Sequence, residues 1–104
     1  MSFTTRLEEA KENPSLLSTL HLDITTEYAR ISDEYESKLP LIALKKKELL
    51  QEHKSVTRAE AEYWLTDTGV WEQSLKIRLK GYEKMMAGIR SRLNQLDLEA
   101  KNQW

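Results

Sequence analysis

The chain has 104 residues, 39% hydrophobic and 32% charged, with 16 Lys and Arg against 17 Asp and Glu and a net charge of −1. That length predicts a single helical domain over 1–104 with a slender core, because so short a chain buries only about 60–70% of the surface it exposes when unfolded. Three glycines and two prolines are too few for the turns of a β-sandwich or barrel, and zero cysteines exclude disulfides and thiolate metal sites.

The opening MSFTTRLEEAKEN is acidic and has no apolar centre, so it does not read as a signal peptide. Thr5 followed by Glu8 forms a capping-box pattern and predicts a short first helix within 1–13. Asn13-Pro14 ends it, because the residue before proline is pushed out of the helical region. From about residue 16, Leu17, Leu20, Ile24, Tyr28, Ile31 and Tyr35 recur at steps of three and four and describe one helix face. Pro40 interrupts this arm of residues 16–53 and predicts a kink or break. Proline costs about 3 kcal/mol inside a helix and almost nothing in its first turn.

Thr57 to Glu60 is a second capping-box pattern, opening a short helix over 57–66, and Thr66 to Gly69 bends the chain with Asp67 or Thr68 as the next cap. The last helix, 70–102, carries the clearest signal. Leu75, Leu79, Tyr82, Met86, Ile89, Leu93, Leu96 and Ala100 alternate steps of four and three, the heptad seam of a left-handed helical pair or bundle. Gly81 and Gly88, seven apart, each cost about 1 kcal/mol relative to alanine. They mark either a stripe where a partner helix crosses or plain surface. The fold expected is all-α, a helical hairpin or small bundle with a long coiled-coil-like C-terminal helix. So little chain cannot cover the whole seam, which predicts a homo-oligomer. Trp104 is expected to dock on a neighbouring subunit or to stay loose.

No catalytic pattern stands out. His21 and His53 lack the spacing of a metal pair, and there is no phosphate loop or nucleophile elbow, so neither enzyme, cofactor, metal nor small-molecule substrate is expected. No stretch approaches the ~18 apolar residues of a membrane span, which predicts a cytoplasmic protein. Charge comes in blocks. Residues 1–36 hold 8 acidic and 3 basic groups, 37–58 hold 6 basic and 2 acidic, 59–75 hold 4 acidic and no basic, and 76–92 hold 6 basic and 1 acidic. Lys45, Lys46, Lys47, Lys54 and Arg58 form one basic cluster; Lys76, Lys80, Lys84 and Arg90 belong to another. Tyr63, Trp64 and Trp71 lie between them. Cations neutralise phosphates and aromatic faces stack bases, so the combination fits single-stranded nucleic acid; the same lysines also fit a solubilising surface paired with acidic residues of 1–36.

Residues 35–50 (YESKLPLIALKKKELL), 59–69 (AEAEYWLTDTG) and the ending IRSRLNQLDLEAKNQW resemble small helical bacteriophage proteins of recombination and, more distantly, UvsY-type recombination mediators. The resemblance implies an oligomeric accessory factor that binds single-stranded DNA and helps load a recombinase past a single-strand-binding protein, in the host cytoplasm. It carries over Lys45, Lys46 and Lys47 as DNA contacts. The rival expectation is a protein-interaction module without nucleic-acid binding, such as an inhibitor or adaptor of a host complex or a virion assembly component.

Overall fold

A computed structural model describes residues 2–102 of the chain, and Trp104 lies outside them. The fold is all-α. Five helices follow in order among the described residues: α1 (Phe3–Ala10), α2 (Pro14–Ser37), α3 (Leu39–His53), α4 (Val56–Tyr63) and α5 (Asp67–Asn102), the last with 36 residues. None is long and apolar enough to cross a membrane.

The helix ends follow from local chemistry, but the caps differ from those expected. Ser2, not Thr5, caps α1, its hydroxyl accepting from the Thr5 N–H at 3.2 Å. Ser55, not Thr57, caps α4 by accepting from the Arg58 N–H. Thr66, not Asp67 or Thr68, caps α5: its hydroxyl accepts from the Gly69 N–H at 3.0 Å and donates to the Tyr63 carbonyl at 2.7 Å. In each case a hydroxyl within reach of the first free N–H groups suffices, and no glutamate has to reach back. Asn13 ends the first turn and caps α2 through the Leu16 N–H, with Pro14 following it. Pro40 stands in the first turn of α3, where its missing N–H costs nothing, so the arm of residues 16–53 is broken into two helices.

The chain forms two compact units. One combines the stretch up to Ala29 with the stretch from Lys80 onward. Its core holds Ala10, Leu17, Leu20, Ile24 and Ile89, with Phe3, Leu7, Tyr82, Met86, Leu93 and Leu96 packed around them. Each fully buried Leu or Ile contributes about 1.5–3 kcal/mol. Phe3 and Tyr82 meet edge to face, with centroids 5.7 Å apart. Polar contacts fasten the rim: Arg6 to Asp23 at 2.7 Å, Arg92 to Glu12 at 2.6 Å and to the Lys11 carbonyl at 2.8 Å, and Tyr28 donating to Glu83 at 2.6 Å.

The other unit is Arg30–Leu79. Its core is Ile42 and Leu49 from α3 with Ala59 and Tyr63 from α4, and Tyr35, Trp64 and Trp71 pack against them. Tyr35 and Trp71 stack with an interplanar angle of 8°. The turn between α4 and α5 is tight at Gly69, where an added Cβ would lie 2.0 Å from the Tyr63 carbonyl oxygen and 2.9 Å from Trp64 Cα. Only glycine allows that approach. Gly81 and Gly88, by contrast, have nothing within 4 Å of an added Cβ. Along the heptad seam, Leu75 and Ile89 are buried, Leu79, Tyr82, Met86, Leu93 and Leu96 are half-buried, and Ala100 is exposed.

Candidate functional site

The feature that stands out in the Arg30–Leu79 unit is a buried carboxylate. Glu72, on the second turn of α5, is 2% exposed. Isolating an ionised carboxylate from water costs several kcal/mol unless its oxygens are satisfied and its charge is met. Here both conditions hold. Tyr63 at the end of α4 donates to Oε1 at 2.7 Å, and Tyr35 of α2 donates to Oε2. Lys46 of α3 comes to 3.8 Å of Oε1, and Lys76, one turn along α5, comes to 3.5 Å of Oε2. Four helices thus contribute a side chain to one carboxylate.

Burial pushes the Glu72 carboxyl upward, but the Tyr35 and Tyr63 hydroxyls and the two ammonium groups together outweigh it and leave the group below its ordinary value. The phenols move the other way. Burial first, then the hydrogen bond to the Glu72 carboxylate and its charge, raise Tyr35 to about 12 and Tyr63 further still.

The two lysines do more than neutralise. The Lys46 ammonium lies 4.8 Å from the centre of the Tyr63 ring and 5.9 Å from that of Trp64, and the Lys76 ammonium lies 5.6 Å from Trp64. Such cation–π contacts favour an ammonium held over the ring face. Lys46 and Lys76 keep 48% and 49% of their side chains exposed. Beside them is an open groove of about 270 Å³ lined by Leu50, Val56, Ala59, Tyr63 and Trp64, with Lys46 and Glu60 among its walls.

The other cations expected to contact nucleic acid are placed differently. Lys45 is half-buried and Lys47 exposed on α3, Lys54 follows α3, and Arg58 is exposed in the first turn of α4. None of these four side chains has an ion-pair or hydrogen-bond partner among the described residues. Lys54 also adopts a left-handed backbone with φ 56°, its N–H bonding the Leu50 carbonyl at 3.0 Å, a C-cap position at which glycine is the usual residue. In the other unit, Lys80 and Lys84 are exposed, and Arg90 stands 3.5 Å from the His21 ring nitrogen.

Sequence reasoning took Lys46 and Lys76 as phosphate contacts and did not find Glu72 at all. Its only local signal is the four-residue spacing from Glu72 to Lys76, which is common on any helix. Among the described residues no group of three or more His, Asp or Glu side chains could hold a metal ion. No protein-family model matches the chain, and neither a curated protein nor a solved structure matches it.

Proposed function

We propose that the chain is a DNA recombination or replication accessory protein of bacteriophage type, acting in the host cytoplasm, that binds single-stranded DNA and partner proteins through helical surfaces and catalyses no reaction. The observation that carries this reading is the set Lys45, Lys47, Lys54 and Arg58, four cations on α3, at its end and on α4 that have no ion-pair or hydrogen-bond partner among the described residues. A surface that serves only solubility has no need of a lysine in a left-handed backbone at Lys54, where glycine would be less strained. The resemblance of residues 35–50 and 59–69 to UvsY-type mediators supports the same reading, with a recombinase or single-strand-binding protein as the further partner. Large apolar side chains in solvent, Leu41 at 51% and Leu44 at 53% exposed on α3, fit self-association or docking of such a partner.

The test is a titration with a single-stranded oligonucleotide at several salt concentrations, beside a mass measurement in solution. Binding that weakens steeply as salt rises, by a chain heavier than a monomer, is the expected result, because each neutralised phosphate releases counterions. The second reading is a protein-interaction module, favoured by the exposed leucines and by the engagement of Lys46 and Lys76 with Glu72. Absence of oligonucleotide binding at physiological salt would select it.

A further inference from the structure

Two faces of α5 are spaced at alternating steps of three and four. The seam that holds Leu75 and Ile89 is turned to the chain's own interior, and both residues are buried. The second face, about half a helical turn away, runs Asp67, Val70, Ser74, Ile77, Gly81 and Lys84. It is open: Val70 is 53% and Ile77 65% exposed, and nothing lies within 4 Å of a Cβ added at Gly81. We propose that this face pairs antiparallel with the same face of a second copy of the chain, each Asp67 opposite the partner's Lys84. The inference goes beyond nucleic-acid binding and does not depend on it.

Charge sets the direction. Asp67 and Lys84 stand at the two ends of the face, both are exposed, and neither has an ion-pair or hydrogen-bond partner among the described residues. In a parallel pair each would meet its own kind, and like charges in one layer oppose pairing. In an antiparallel pair each meets the opposite charge. Both contacts form together, because two copies related by a two-fold axis use the same patch twice.

Size sets the register. With Asp67 opposite the partner's Lys84, Val70 falls opposite the partner's Gly81 and Ile77 opposite the partner's Ser74. Large side chains facing small ones let two helices approach and fill each layer, and an alanine at 81 would serve as well. A shift of one heptad in one direction puts Ile77 against the partner's Asp67. The opposite shift puts Lys84 against the partner's Ser74. Either shift covers a charge without its counterpart, which is costly.

The occupant follows from the same residues. Val70, Ser74, Ile77 and Gly81 make an uncharged outer stripe on a chain that is 32% charged. A second copy covers that stripe over a stretch of about 27 Å and brings both end charges at the required spacing. An occupant selected for apolar side chains alone does not.

The experiment measures mass in solution across protein concentration for the unaltered chain, for Asp67→Lys, for Lys84→Glu, and for an equimolar mixture of the two variants. The unaltered chain should be at least a dimer. Either variant alone sets like charges opposite each other at both ends and should dissociate at least about tenfold more readily. In the mixture every end again joins opposite charges, so the lost mass should return. A monomeric unaltered chain, a single variant that associates as well as the unaltered chain, or a mixture that stays dissociated overturns the pairing. None of these results touches single-strand binding, which the oligonucleotide titration reads separately. Asp67→Lys alters the first residue of α5; should it fail to fold, Ile77→Glu decides, from a position that is 65% exposed. Loss of mass by folded Ile77→Glu supports the pairing, and unchanged mass overturns it.

Discussion

Glu72 shows how a single residue can organise a unit while leaving little trace in the sequence. It lies in the block 59–75, which holds no basic residue, between a tryptophan and a glutamine. Its partners come from positions 35, 46, 63 and 76, and only the last is a helical neighbour. Replacing it with the neutral isostere, Glu72→Gln, should lower stability by about 1–3 kcal/mol in a denaturant titration, because the charge that receives two phenols and two half-exposed lysines is lost. No change would mean that the cluster is held by packing alone. Gly69 was legible as a bend but not as a point of close approach, because the obstacle is the carbonyl of Tyr63 in the preceding helix. Gly69→Ala should cost about 1–3 kcal/mol by forcing that turn apart. Lys54→Gly offers two readouts with opposite signs: relief of the left-handed backbone should raise stability by about 1 kcal/mol, while oligonucleotide affinity should fall.

At the scale of helices the sequence is far more informative, because periodicity and proline act locally. The break at Pro40, the end of α3 at His53 and the long final helix all follow from spacing and backbone chemistry. The caps were misplaced by one to three residues because Ser and Thr crowd every helix start, and choosing among them requires knowing which hydroxyl meets a free N–H. Gly81 and Gly88 sit in α5 with open space beside them. Replacing both with alanine should stabilise the helix by about 1 kcal/mol each, raising the unfolding midpoint by several degrees. If the same double variant lost mass in solution, the stripe would instead be a crossing point for another helix.

For the molecule as a whole, the titrating groups set a window of stability. Glu72 is held below its ordinary value in the folded chain, so its contribution is present above about pH 4.5 and is lost as pH falls through the lowered folded value. Tyr35 and Tyr63 are raised, so theirs is present below about pH 10 and is lost as pH climbs toward 12 and beyond. Denaturant midpoints measured across pH should therefore form a plateau between those edges, and Glu72→Gln should flatten the acid edge. The partner is the least legible part of the chain: acidic and basic blocks alternate to a net charge of −1, and nothing in spacing alone separates a phosphate contact from a solvated lysine.

The decisive measurement compares the salt dependence of single-strand binding by the unaltered chain and by the variant Lys45→Ala/Lys47→Ala/Lys54→Ala/Arg58→Ala. On a plot of log affinity against log salt, each phosphate contact on a single strand contributes about 0.7 to the slope, so the variant should be shallower by about 3. An identical slope in the two proteins, or no binding by either at physiological salt, would contradict the DNA-binding account.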